Sequence, residues 1–243
     1  MLKENVRVIA TTSLALLVMA GAASPAMAQA QQRAATRYAK MGPVEQYLMD
    51  RSAEIALART AVPASIARDA GVVVMGRHGY ETAVPSRNGF VCYVGRGWSS
   101  AADPDFWNPK VRVPMCLNAP AARSYFLMVE KITDLALAGE SLAQVNAAIA
   151  AAVAKKELPP MAPGSLGYML GKEGYGGDVA PHWPSHIMFF RSDVDPASWG
   201  ANLPGSPMIA IADPATHMTQ FVVTAQKWAD GTDAVAPPHH VHR

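Results

Sequence analysis

Four histidines in the body of the chain, His78, His182, His186 and His217, are the side chains best suited to proton transfer or metal ligation near neutral pH. His182 and His186 are four residues apart, a spacing that on a helix sets two imidazoles on one face for a metal ion. Pro181 and Pro184 argue against a helix there. In an extended chain the pair shares a face but stands about 13 Å apart, too far to hold one ion directly. A metal site drawing on His182, His186 and His217 therefore needs the fold to bring them together. For acid–base chemistry the candidates are His78 with Glu81, beside an expected turn, and His182 with Asp178. The competing reading of His78 and Glu81 is an ordinary polar hairpin end.

Asp178 closes the most glycine-dense segment, Gly171-Lys172-Glu173-Gly174-Tyr175-Gly176-Gly177-Asp178. Such a segment can approach a ligand closely or serve as a flexible connection. It lacks the order of a phosphate-binding loop, and the chain has no G-x-S-x-G, S-x-x-K, H-E-x-x-H, C-x-x-C or G-x-G-x-x-G. Those absences weigh against the commonest hydrolase, zinc-protease, thioredoxin-like and dinucleotide-binding readings, and no cofactor is indicated. The thirteen methionines are scattered through apolar runs, which suits core filling better than Cu(I) ligation. Asp103/Asp105 and Asp193/Asp195 read as turn formers rather than calcium ligands. The five tryptophans, Trp98, Trp107, Trp183, Trp199 and Trp228, all fall in or beside expected loops. There they either close over a core edge or offer a stacking surface.

These side chains must be positioned by a mixture of helices and strands. Pro43 and the apolar face Val44, Tyr47, Leu48, Ile55 and Ala58 predict a helix over 43–59. Val72–Met75, Tyr80–Val84 and Phe90–Val94 read as strands of an antiparallel meander, with Asn88-Gly89 as a hairpin signal. Residues 98–110 form a loop, and Val111–Leu117 is a strand that Pro114 places at a sheet edge. Asn118 caps a helix with the stripe Tyr125, Phe126, Val129, Ile132 and Leu135 or Ala136, stopped by Gly139. Ser141-Leu142-Ala143-Gln144 is a capping box opening a second helix. So short a connection predicts an antiparallel pair. Strands follow at Ser165–Leu170, His186–Phe190, Met208–Ala212 and Gln220–Ala225. The sum is an α+β fold: a mostly antiparallel sheet, an N-terminal helix and a central antiparallel helix pair.

The first 28 residues carry an address. Lys3 and Arg7 precede an apolar run from Val8 to Ala20, then Gly21, Pro25 and the A-x-A site Ala26-Met27-Ala28, the layout of a secretory signal peptide. The run is shorter than a bilayer span needs, so no membrane association is expected after cleavage. The domain reading is 1–28 signal peptide, 29–41 flexible leader, 42–229 one α+β domain, and 230–243 a disordered tail with His239, His240 and His242. Loss of Lys3, Arg7 and Glu4 with the leader takes the formal charge from +2 to +1, which gives no electrostatic reason to bind nucleic acid. In an oxidising destination, Cys92 and Cys116 read as a disulfide rather than as a nucleophile and a spectator.

Three stretches together carry a resemblance. They are Met75-Gly76-Arg77-His78-Gly79-Tyr80-Glu81-Thr82-Ala83-Val84, Asn88-Gly89-Phe90-Val91-Cys92, and Trp199-Gly200-Ala201-Asn202-Leu203-Pro204-Gly205-Ser206-Pro207. The chain resembles, over most of its mature length, a group of uncharacterised exported bacterial proteins with no known activity. The resemblance implies export and assigns no role to any residue. The expected function is a periplasmic or extracellular domain that binds a small molecule or protein without chemistry. The alternatives are a secreted hydrolase using a His/acid pair and a metal-binding protein.

Overall fold

The computed structural model describes residues 25–99 and 105–234. The leader up to Ser24, Asp103 and the tail histidines His239, His240 and His242 lie outside the described residues. The architecture is α+β. Helices α1 (Pro25–Arg37), α2 (Arg51–Arg59), α3 (Ala64–Ala67), α4 (Ala119–Ala122), α5 (Tyr125–Leu137) and α6 (Leu142–Ala154) accompany eight strands in one sheet. The strands are β1 (Gly71–Gly76), β2 (Gly79–Val84), β3 (Val91–Gly95), β4 (Val113–Leu117), β5 (Leu166–Met169), β6 (His186–Ser192), β7 (Met208–Asp213) and β8 (Met218–Thr224). Their order is β2-β1-β3-β4-β5-β6-β8-β7. Every pairing is antiparallel except β1 with β3. No helix among the described residues is long and apolar enough to cross a membrane.

The parallel β1–β3 pair corrects the expected meander. The tight hairpin is β1–β2, turning through Arg77-His78 between Gly76 and Gly79. Asn88-Gly89 does turn the chain, with Gly89 at a φ of 79°. However, the Arg87 and Asn88 amides donate to the Asp69 carbonyl, and Asn88 Nδ2 donates to the Ile66 carbonyl. Those bonds fasten the turn to the end of α3, so β3 enters on the far side of β1. The signal for a turn at Asn-Gly is local, whereas the choice of strand partner is not.

Pro114 does not mark an edge, because β4 lies between β3 and β5. Cys92 and Cys116 are cross-strand partners with Cα atoms 3.9 Å apart, the close spacing of a pair that exchanges no ladder bonds. Pro114 shares that parity opposite Val94, so its missing N–H costs nothing against β3. On the other side, the β5 ladder reaches only Cys116 and Leu117. A central strand thus carries a proline where neither neighbour asks for a donor.

The 43–59 helix is also interrupted. Val44–Tyr47 is a single 3-10 turn, and Asp50 caps α2 by accepting from the Ala53 amide. The lead-in over 29–41 is helical as far as Arg37. Asn118 caps only α4, and Ser141 forms the expected capping box with Gln144. The predicted stripe holds: Tyr125, Phe126, Val129, Ile132 and Ala136 of α5 are buried with Val145 and Ile149 of α6. The largest cluster joins them to Tyr93, Leu117, Met188 and Phe190 on one face of the sheet, with Tyr125 stacked on Phe190 at 3.9 Å. The opposite face near β1, β3 and β4 packs on Ala58, Ala61, Val62 and Ala67 around the Cys92–Cys116 disulfide. Closing that loop contributes about 3 kcal/mol in the chain-entropy model.

Candidate functional site

The glycine-dense segment leaves β5 and returns towards β6, and its course is set by bonds on both flanks. The Tyr175 and Arg112 backbones pair with each other, and the Gly176 amide donates to the Pro181 carbonyl. Lys172 Nζ reaches Asp230 Oδ2 at 2.6 Å, and the Ala229 amide donates to the Leu170 carbonyl. Asp230 and its neighbours were expected in a disordered tail. Instead, 230–234 folds back, with the Ala234 amide on the Gln226 carbonyl and an ion pair between Lys227 and Asp233.

Asp178 is the hub on the inner flank. Its Oδ1 accepts from Tyr175 Oη at 2.5 Å and Asn108 Nδ2 at 3.4 Å, and its Oδ2 from Tyr38 Oη and Arg37 Nη1, both at 3.0 Å. Asn108 also donates to Asp105 Oδ1, and Asp105 Oδ2 accepts the Val179 amide. The hydroxyls of Tyr175 and Tyr38, with the Arg37 guanidinium, hold the Asp178 carboxyl below its ordinary range against the opposing effect of burial. Burial, reinforced by the Asp178 bond, pushes Tyr175 up to about 12. A carboxylate with four donors is an anchor for the segment and a poor proton acceptor.

Between this segment and the start of β4 lies a cleft of about 110 Å³. Pro114, Met169, Trp183 and Trp228 give it apolar walls, and His182 and Lys172 bring its polar groups. Trp183 rests against the backbone of Gly176, where an added Cβ would collide with its indole and stand 2.5 Å from the Ala180 carbonyl. The glycine therefore serves a close approach that forms the cleft wall.

The other sequence candidates are dispersed. His78 is exposed in the β1–β2 turn, and Glu81 is an exposed partner of Arg51 at 2.5 Å. His182 is on the cleft rim. His186, at the start of β6, is 2% exposed and its Nδ1 is 2.6 Å from the Pro184 carbonyl, which makes Nδ1 the protonated nitrogen. His217 lies beyond β7 and contacts Asp193 at 2.7 Å. Among the described residues no three His, Cys, Asp or Glu side chains converge to hold a metal ion.

Burial depresses the His186 pKa below its ordinary 6.5, only partly opposed by the Pro184 bond. The folded state then binds fewer protons there than the unfolded chain. Stability contributed by neutral His186 is full above about 6.5 and is lost as pH falls through the depressed folded value. Urea midpoints measured from pH 7.5 to 5 should fall on the acid side, and His186→Gln should flatten that limb. An unchanged limb would assign it to other groups.

Sequence reasoning missed the strongest polar feature of the interior. Glu54 and Arg96 are 1% and 2% exposed and form a buried ion pair, Nη2 to Oε1, at 2.9 Å. Arg96 Nε also donates to the Tyr47 carbonyl, and Glu54 Oε1 accepts the Met75 amide. The available signal was Arg96 between Gly95 and Gly97, a cation on a buried strand end flanked by residues that permit close approach. No protein-family model, curated protein or solved structure matches the chain.

Proposed function

We propose that this chain is an exported domain that binds a small molecule in the cleft beneath the glycine-dense segment, without chemistry of its own. The observation that carries the reading is the cleft's construction: two indoles and an imidazole meet around a void whose wall is fixed by Asp178 and by the Lys172–Asp230 pair. Preorganised aromatic walls with few polar groups suit ligand capture. The volume admits a single ring, such as an aromatic or sugar group, with its polar edge towards His182. A periplasmic or extracellular destination is supported by the leader and by the buried Cys92–Cys116 disulfide, which persists in oxidising compartments. Cleavage after Ala28 would leave Arg37 and Tyr38 on the mature chain, where they hold Asp178.

The test is a titration of the purified chain with small aromatic and monosaccharide probes, followed through the indole N–H resonances of Trp183 and Trp228. Saturable shifts of both are expected for one probe class, with Gly176→Ala weakening the response about tenfold by displacing Trp183. Shifts at Trp228 that persist unchanged in Trp183→Ala, or no response to either class, would defeat the reading. Mass spectrometry of secreted protein should find Gln29 at the N-terminus.

A further inference from the structure

A second concavity, of about 360 Å³, opens among α2, α3 and the end of β2. Three arginines line it: Arg59 in the last turn of α2, Arg68 at the C-terminal end of α3, and Arg87 in the β2–β3 connection. Arg37, Arg51, Arg77 and Arg96 each pair with a carboxylate, and Arg191, whose Nε is likewise shielded without an acceptor, lies over the Trp199 ring. Among the described residues the side chains of Arg59, Arg68 and Arg87 have neither an ion pair nor a hydrogen bond. The Arg59 Nε is shielded from solvent and has no acceptor. A buried donor of a cation without an acceptor is costly, and native structures satisfy such groups with protein, water or ligand.

Helix polarity explains part of this. Cations are favoured at helix C-termini, so α2 and α3 account for the residue types at Arg59 and Arg68. It does not explain why Arg87 joins them from a different connection, nor why the shielded Nε faces no acceptor. Asp69 also lines the hollow, yet it makes no ion pair with the three guanidiniums among the described residues. The Asp69 carbonyl is already engaged, since it accepts the Arg87 and Asn88 amides and so fixes Arg87 at the rim.

The geometry points to an oxyanion-binding site in which Arg59, Arg68 and Arg87 receive a phosphate group, carried on a small organic body that meets Val84, Pro85 and Asp69. A tetrahedral phosphate offers oxygens to several planar guanidinium forks at once, and Arg is the residue that matches them in pairs. The hollow is several times the size of a phosphate ion, which leaves room for an attached group. Asp69 would then accept from a hydroxyl or ammonium on that group. This site shares no residue with the cleft beneath the glycine-dense segment, so either can fail alone.

The experiment is a titration of the purified chain at low ionic strength with inorganic phosphate and, separately, glycerol phosphate, read through the Arg59 Nε–H resonance and the melting temperature. Saturable binding below about 10 mM is expected for at least one probe. Tighter binding of glycerol phosphate assigns the organic body a role, and equal binding assigns the site to the free ion. Arg59→Met and, should that variant fold poorly, the exposed Arg87→Gln should each weaken binding about tenfold. Arg77→Gln, which removes a paired surface arginine, should leave it unchanged. No saturable shift with either probe, or an equal loss in Arg77→Gln, would overturn the site.

Discussion

Replacing Arg96 by methionine is expected to lower the free energy of unfolding by about 3–5 kcal/mol, the usual cost of removing one member of a buried ion pair. The Arg96 and Glu54 side chains are 0% and 1% exposed, so solvent cannot reach the charge left behind. Glu54 would keep only the Met75 amide on Oε1, and its Oε2 already lacks a partner. The Tyr47 carbonyl would lose the Arg96 Nε donor, whereas the Val94 carbonyl would retain the Tyr80 hydroxyl. The exposed pairs Arg51–Glu81 and Arg77–Glu45 provide the contrast, since solvent screens both charges of each. Attraction alone does not predict this outcome; the desolvated residue does. The double variant Glu54→Leu/Arg96→Met, which leaves no charge, should therefore recover most of the loss. Urea unfolding of the four proteins in the cycle measures this directly. A loss under about 1 kcal/mol for Arg96→Met, or no recovery in the double variant, would show that water enters and carries the charge.

The α+β class and most strand positions were legible because burial imposes period: β5 to β8 coincide with apolar runs, and the α5 stripe is buried as its spacing requires. Capping at Asn118 and Ser141 was legible for the same local reason. Strand partnership was not. The Asn88-Gly89 turn is present, but bonds from Arg87 and Asn88 to the Asp69 carbonyl, 18 and 19 residues back, decide which side of β1 receives β3. Pro114 misled because the rule about edges concerns a missing donor, and register removed the demand for one. Of the site residues, His182 lines the cleft and Asp178 anchors the segment that forms its wall. The parts that Asp105, Asn108, Tyr38 and Tyr175 play in holding Asp178 were not legible, because the network joins segments up to 141 residues apart. Glu54 was hidden by its neighbours, since a charge beside a helical apolar face ordinarily points to solvent. The three arginines at the second hollow left no sequence pattern either, being gathered from α2, α3 and a loop.

Gly97→Ala is expected to destabilise the fold by about 1–3 kcal/mol through overpacking. A Cβ at Gly97 would overlap the Asp105 carbonyl oxygen and approach the Phe106 carbonyl oxygen to 2.7 Å and its carbon to 3.1 Å. All three are backbone atoms, so no rotamer change relieves the overlap, and the 105–108 turn must shift as a unit. At Gly176 the closest collision is with the Trp183 side chain, which can swing away, and the Ala180 carbonyl oxygen at 2.5 Å is the single backbone obstacle. The displaced turn carries Asn108, whose amide bridges Asp105 and Asp178, and Trp107, whose carbonyl accepts from the buried Tyr47 hydroxyl. Gly97→Ala should thus strike stability and the Asp178 anchor together, lowering the urea midpoint and disturbing the Trp183 and Trp228 indole resonances of the cleft. The companion Gly95→Ala separates the two effects, because its nearest obstacle is the Ser99 hydroxyl at 2.9 Å, which accepts the Arg96 amide and does not touch the 105–108 turn through its backbone. Stability lost in Gly97→Ala with unchanged indole resonances would mean that the 105–108 turn and the cleft are not mechanically joined. Joint loss would trace the cleft's rigidity back to one hydrogen atom in the Gly95-Arg96-Gly97 turn, where the buried cation and the Asp178 network share a backbone.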